Sequence, residues 1–143
     1  SLSKTAGLAG LRFGFALGNE DLIDHIIRVN GPYDINRFAV TAAFAALEDQ
    51  AYIDTYTQEV LKARTWIKSQ LIKKGIRHHI DAGNYFLIWP NRDSNQIEEC
   101  LKGEGILIRN MKGKPMIGKS IRVSIGTKKQ MEIFLEAFLK YET

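Results

Sequence analysis

Three kinds of side chain near the start of the sequence could do chemistry together: an amine, a guanidinium and two hydroxyls. Lys4 follows Ser1 and Ser3, and Arg12 comes eight residues later. An amine attacks a carbonyl only when it is unprotonated, so a reactive lysine needs desolvation or a neighbouring positive charge. Arg12 supplies that charge if the glycine-rich chain between the two residues turns back, because both cations then face one pocket.

The same residues also form a donor set for phosphate. A guanidinium offers two charge-assisted hydrogen bonds, and serine hydroxyls add donors without bulk. Arg12 and the two serines would therefore hold a phosphate while Lys4 reacts with an aldehyde on the same molecule, which describes pyridoxal phosphate. Spacing alone leaves open a solvated Lys4 and an Arg12 held in a surface ion pair.

A second basic group lies between residues 103 and 127, where Glu104 is the one acid. Its bases are Arg109, Lys112, Lys114, Lys119 and Arg122. The net charge of the whole chain is only +4, and a nucleic-acid surface usually needs a longer basic stripe with interleaved aromatic residues. The expected partner is therefore a small anion, and no nucleic acid is expected.

The elements that must position these residues alternate along the chain, which predicts an α/β layer structure. The hydrophobic pattern predicts strands over residues 11–18, 84–90, 105–109 and 120–127. It predicts helices over residues 19–29, 35–49, 51–74, 96–102 and 128–141, with Asn19 as a cap and Gly75 as a stop. The two histidines His78 and His79 are adjacent, so on a strand they point to opposite faces.

The cysteine content and the hydropathy limit the expected cellular location and the expected partners of the protein. Cys100 is the single cysteine, so the chain forms no internal disulfide and offers no second soft ligand for a metal. We therefore expect a reducing, cytoplasmic location and no metal site. No apolar run approaches the roughly 20 residues that a membrane span needs, so no membrane partner is expected.

The stretch SLSKTAGLAGLRFGFALG closely resembles the cofactor-lysine segment of fold-type I pyridoxal-phosphate aminotransferases. That segment has a serine or threonine three residues before the lysine and an arginine eight residues after it. Within this superfamily, KTAGLAGLRFGFALGN followed by PYDINRFAVTAAFAAL is most similar to histidinol-phosphate aminotransferases, and GILIRNM and IRVSIGT also match that group. The resemblance runs in order along the whole sequence.

The resemblance implies roles for individual residues. Lys4 would bind the cofactor aldehyde covalently and move the proton between the substrate carbon and the cofactor. Arg12 would bind the cofactor phosphate, with Ser1 as its hydroxyl partner and Ser3 as a less certain one. The remaining pair, Arg109 and Arg122, would bind the anionic end of the substrate. That end is the phosphate of histidinol phosphate or the carboxylate of a 2-oxo acid.

The resemblance also implies a division of the chain. Residues 1–50 would be the last strands and helices of a large cofactor-binding domain, and residues 51–143 a C-terminal small domain that includes the long connecting helix. The family's acid for the pyridine nitrogen, its ring-stacking aromatic residue and its glycine-rich helix start lie upstream of the lysine. We therefore expect this chain to be a C-terminal part of a homodimeric enzyme and to be inactive alone.

Two other classes stay open at this stage. One is a related pyridoxal-phosphate enzyme that acts on another anionic amino compound, such as threonine-phosphate decarboxylase or an aromatic aminotransferase. The other is a non-enzymatic anion-binding module in which Lys112, Lys114 and Lys119 form a solvated basic loop. The second class predicts no reaction with the cofactor aldehyde and no effect of Lys4→Ala on any affinity.

Overall fold

The protein, described by a computed structural model over residues 2–31 and 35–142, divides into two compact units. The first unit is Ser1–Thr57 and the second is Gln58–Thr143. The division falls within the helix Gln50–Lys73, the longest helix of the described residues. Within those residues, no helix combines the length and the apolar character needed to cross a membrane.

The first unit is helical. It contains α1 (Leu2–Thr5), a 3-10 turn (Ala9–Leu11), α2 (Glu20–Val29), α3 (Arg37–Glu48) and the beginning of α4 (Gln50–Lys73). The predicted cap of α2 is confirmed, because the side-chain oxygen of Asn19 accepts a hydrogen bond from the backbone N–H of Asp21 at 2.9 Å. Such a bond satisfies one of the free amides at a helix start.

The strand predicted over residues 11–18 is wrong. Residues 13–19 form neither helix nor strand. A strand is held by hydrogen bonds to a neighbouring strand, and the described part of the first unit contains no strand that could pair with this segment. The segment has the glycine and aromatic pattern of a buried strand, but no described residue of the first unit provides the neighbouring strand that it needs.

The first unit has little core of its own. Among its described residues, the buried hydrophobic side chains are Leu2, Ala39 and Ala43. Leu17 is 89% exposed and Phe38 is 81% exposed. The described part of the first unit therefore leaves several large apolar side chains in contact with solvent.

The second unit is a sheet covered by helices on one face. It contains the rest of α4, followed by β1 (His78–Ile80), β2 (Tyr85–Ile88), α5 (Ser94–Gly103), β3 (Arg109–Asn110), β4 (Ile121–Ser124) and α6 (Lys128–Glu142). The strands pair antiparallel in the spatial order β1, β2, β4, β3. Gly75 ends α4 as predicted, with a φ of 65° that glycine adopts without strain.

The core of this unit lies between the sheet and its three helices. Alternate residues of the two central strands point into it: Phe86, Ile88, Ile121 and Val123, which are all buried. The helices contribute Ala63, Ile67, Leu71, Ile97, Leu101, Met131, Phe134, Leu135 and Phe138. Because side chains alternate across a strand, Tyr85, Leu87, Arg122 and Ser124 lie on the opposite face of the sheet, called the open face below. Leu87 is buried on that face, with 7% of its surface exposed.

The strand predicted over residues 105–109 is wrong for residues 105–108. The observed strand β3 contains only Arg109 and Asn110, which pair with Arg122 and Ile121 of β4. Gly105 has a φ of 77°, and the N–H of Ile106 donates to the carbonyl of Leu101 at 2.9 Å, so this part of the chain closes the end of α5. A cleft of about 380 Å³ separates residues 105–108 from residues 123–126 where the ladder would otherwise continue.

Candidate active site

The residues predicted to hold the cofactor lie in the first unit, on and after α1. Ser3 and Lys4 are part of α1, Ser3 half-buried and Lys4 exposed. Ser1, the predicted hydroxyl partner, lies outside the described residues. Leu2 anchors the short helix because its side chain is only 6% exposed.

The backbone folds back between Lys4 and Arg12. The N–H of Leu8 donates to the carbonyl of Leu2 at 3.3 Å, and Gly7 has a φ of 68° in the left-handed region that favours glycine. The following 3-10 turn ends at Arg12, whose N–H lies 3.4 Å from the carbonyl oxygen of Ala9. The backbone between Lys4 and Arg12 therefore turns twice, once directly after α1 and once in the 3-10 turn.

Arg12 has an unusual backbone conformation. Its φ of 53° and ψ of 40° are left-handed, although it carries a side chain. This conformation costs an L residue about 1–2 kcal/mol relative to the right-handed one. Strain of this kind is found preferentially where a side chain must be aimed at a ligand, and the exposed guanidinium of Arg12 is the one proposed to bind phosphate.

Asn36 is a supporting residue that sequence reasoning missed. Its side-chain oxygen accepts a hydrogen bond from the N–H of Ala39 at 2.8 Å and so caps α3. Its side-chain nitrogen lies 3.4 Å from the carbonyl oxygen of Leu11. One amide thus links the start of α3 to the residue before Arg12. In the sequence, the signal for this cap is an asparagine that directly precedes a helical pattern beginning at Arg37.

The residues predicted to hold the substrate anion lie in the second unit. Arg109 on β3 and Arg122 on β4 are direct cross-strand partners. Side chains of such partners lie on the same face, with Cβ atoms about 4.5–5.5 Å apart. Because Ile121 and Val123 on either side of Arg122 point into the core, both arginines lie on the open face of the sheet.

The two arginines carry uncompensated positive charge. Arg109 is exposed and Arg122 is half-buried. Among residues 2–31 and 35–142, no carboxylate forms an ion pair with either arginine, and the pairs found there are Lys128 with Glu132 and Lys140 with Glu104. Like charges placed directly opposite on a sheet destabilise it. An anion bound between the two guanidinium groups would remove that repulsion.

Arg122 lies close to an aromatic ring on the open face. Its Cζ atom lies 5.0 Å from the centre of the Tyr85 ring. A second pair of the same type lies just beyond the paired ends of β1 and β2, where the Cζ atom of Arg77 is 4.7 Å from the centre of the Trp89 ring. Both distances are within the roughly 6 Å range of cation–π contacts.

Comparison with known proteins shows which family this chain belongs to. The sequence pattern described as aminotransferase class I and II matches residues 1–138. The chain belongs to this aminotransferase family. It is 37% identical to a histidinol-phosphate aminotransferase of Clostridium botulinum over 98% of its own length, and 35% identical to one of Pseudomonas fluorescens over 95%. This aminotransferase chain spans about 40% of the length of both relatives.

Solved structures of the family have the same fold. Over 99% of its length, the aminotransferase chain matches the histidinol-phosphate aminotransferase of Clostridium acetobutylicum with a TM-score of 0.85 and 27% identity, covering 44% of that protein. It matches the enzyme of Sinorhizobium meliloti, solved in complex with pyridoxal-5'-phosphate, with a TM-score of 0.81 and 27% identity, covering 39%. The predicted α/β fold of a fold-type I aminotransferase is therefore confirmed.

Proposed function

We propose that this chain is the C-terminal part of an enzyme that transfers an amino group between histidinol phosphate and 2-oxoglutarate in histidine biosynthesis. The observation that carries the proposal is the cross-strand pairing of Arg109 and Arg122 on the open face of the sheet. Two guanidinium groups on neighbouring strands of one face suit a phosphate dianion, and the same groups suit the carboxylate of the 2-oxo acid in the other half-reaction.

The donor set of the first unit fits pyridoxal phosphate. This cofactor supplies an electron sink for the carbon that loses its proton, while the protein binds and orients it. Lys4 would hold the cofactor covalently and carry the proton to and from the substrate carbon. Arg12 would bind the phosphate with its guanidinium, and Ser1 and Ser3 would add hydroxyl donors.

The whole enzyme requires more protein than this chain contains. The chain spans about 40% of its curated relatives, and apolar side chains on α2 and α3, such as Ile27 and Phe44, are more than half exposed. Residues 1–50 would therefore complete a large domain, residues 51–143 would form the small domain, and the complete enzyme would be a cytoplasmic homodimer. We expect the 143-residue chain to have no transaminase activity by itself.

The test uses the full-length protein that carries this sequence, with pyridoxal phosphate, histidinol phosphate and 2-oxoglutarate. The expected result is formation of glutamate, and its complete loss in Lys4→Ala. Arg109→Gln and Arg122→Gln should each lower kcat/KM for histidinol phosphate by about 10- to 100-fold, since each removes a charge-assisted contact worth about 1.5–3 kcal/mol. Arg77→Gln, which removes an arginine elsewhere on the same face, should leave kcat/KM within about twofold.

Other outcomes would replace this proposal with one of its alternatives. Turnover of threonine phosphate or an aromatic amino acid, with histidinol phosphate ignored, would change the substrate and keep the enzyme class. A full-length protein whose absorption spectrum does not change on mixing with pyridoxal phosphate, and in which Lys4→Ala alters no affinity, would indicate a non-enzymatic module that binds anions through its basic loop.

A further inference from the structure

Tyr85 occupies a fixed position beside Arg122 on the open face of the second unit. Tyr85 pairs with Ser124 and Leu87 pairs with Arg122, so Tyr85 and Arg122 are diagonal neighbours on β2 and β4. The pairing continues past Tyr85, because the N–H of Ile125 donates to the carbonyl of Asn84 at 2.9 Å. The ladder between β2 and β4 thus continues past Tyr85 in both directions along the strand.

The ring of Tyr85 is also held from the side of the turn. A Cβ atom placed on Gly83 would lie 3.6 Å from Cε1 of Tyr85, so the ring packs directly against the turn between β1 and β2. The Cζ atom of Arg122 lies 5.0 Å from the ring centre. The ring therefore lies in contact distance of both the turn and the guanidinium.

Arg122 lies between two unlike neighbours. Arg109 stands directly opposite on β3 and repels it, whereas Tyr85 on β2 attracts it through the electron-rich face of the ring. A guanidinium over an aromatic ring keeps its N–H donors available at its edge. The contact with Tyr85 thus restrains Arg122 without consuming the donors that an anion needs.

We propose that Tyr85 is a positioning residue, whose ring holds the guanidinium of Arg122 in place to receive the anionic end of the substrate. This inference rests on the proposed function of Arg122. Tyr85 acts through Arg122, and the part of Tyr85 that matters is the ring face. The hydroxyl group is dispensable for this role. A phenylalanine at position 85 would therefore still position Arg122, whereas a leucine would not.

The kinetic test uses the full-length protein with histidinol phosphate as the varied substrate. Tyr85→Leu should raise the KM by about three- to tenfold and leave kcat within about twofold, because a partly exposed cation–π contact has a modest energy. Tyr85→Phe should keep the wild-type KM. Trp89→Leu is the matched control, since it removes the ring beneath Arg77 on the same face, and it should leave the KM unchanged.

A second measurement does not depend on turnover. In proton NMR of the 143-residue chain, the ring current of Tyr85 should shift the side-chain protons of Arg122 upfield. Tyr85→Phe should keep this shift, and Tyr85→Leu should remove it, whereas Trp89→Leu should change only the protons of Arg77. Each variant is first compared with the wild type by urea unfolding, so that a loss of folding is recognised.

The outcomes separate the two proposals. A full-length protein that ignores histidinol phosphate overturns the proposed substrate, and the NMR shift then still decides whether Tyr85 holds Arg122. The positioning role is overturned by a wild-type spectrum without the upfield shift. It is also overturned if Tyr85→Phe raises the KM as much as Tyr85→Leu, because the hydroxyl would then be the working group, or if Tyr85→Leu leaves the KM unchanged.

Discussion

The ionic contact around Glu104 shows how single residues join elements of the second unit. Glu104 caps the C-terminal end of α5, and its carboxylate accepts hydrogen bonds from the Lys140 ammonium and the Tyr141 hydroxyl on α6. The hydrogen bond from Lys140, followed by the one from Tyr141, holds the pKa of Glu104 below its usual value of 4.5. In turn, the contact with Glu104 raises the pKa of Lys140.

A pH dependence of stability follows from this contact. Because the folded-state pKa of Glu104 is lowered, its contribution to the free energy of unfolding is present above about pH 4.5 and is lost as the pH falls through the folded-state value. The free energy of unfolding should therefore fall less between pH 5 and about pH 3 in Glu104→Gln than in the wild type. Urea unfolding of both chains at several pH values measures this difference. Glu136→Gln, which changes an exposed carboxylate of α6, should retain the wild-type slope, and equal slopes for Glu104→Gln and the wild type would contradict the prediction.

At the scale of elements, the start of α6 is fixed by a reciprocal cap. The side-chain oxygen of Gln130 accepts a hydrogen bond from the N–H of Thr127 at 2.9 Å, and the N–H of Gln130 lies 3.4 Å from the hydroxyl oxygen of Thr127. This is the capping-box arrangement, which satisfies amides at the helix start from both directions. A side chain at Gly126 would displace this cap, because a Cβ there would lie 2.1 Å from Oε1 of Gln130.

Removing this cap should weaken the second unit. Gln130→Ala should lower the free energy of unfolding by about 1 kcal/mol, since the N–H of Thr127 loses its acceptor. Gln130→Glu should retain most of the stability because a carboxylate oxygen still reaches that N–H. Chemical denaturation of the 143-residue chain measures both changes. An alanine variant as stable as the wild type would show that water replaces the cap without loss.

At the scale of the whole molecule, the two units differ in how completely they bury apolar surface. The second unit has a continuous core of side chains from the sheet, α4, α5 and α6, whereas the described part of the first unit buries little beyond Leu2, Ala39 and Ala43. Burial of apolar surface is the main favourable term in folding. The second unit should therefore be stable on its own, and the first unit should not.

This difference is directly measurable on two shorter chains. Residues 50–143, which keep α4 whole, should unfold in urea in a single cooperative transition seen equally by circular dichroism and by the fluorescence of Trp66 and Trp89. Residues 1–49 should show no cooperative transition. A non-cooperative 50–143 chain would mean that the core of the second unit depends on the first unit, and a cooperative 1–49 chain would mean that the first unit completes a core by itself or by self-association.

The sequence by itself determined the five longer helices α2 to α6, the cap of α2, the stop of α4 and the identity of the reactive groups. A helix is held by hydrogen bonds between residues four apart, so Asn19 at one end of α2 and Gly75 at the end of α4 are readable locally. The chemical types of Lys4, Arg12, Arg109 and Arg122, with the segments that flank them, were likewise sufficient to place the chain in its family.

Only the tertiary structure decided the pairing of distant segments. The direct opposition of Arg109 and Arg122, the diagonal contact of Tyr85 with Arg122 and the shortening of β3 all depend on strand register. The strand prediction for residues 11–18 was wrong because it also depended on distant pairing. A strand exists only where another strand offers hydrogen bonds. A local pattern can favour an extended segment, but the register is set by partners elsewhere in the chain, and a shift of one residue moves every side chain to the other face.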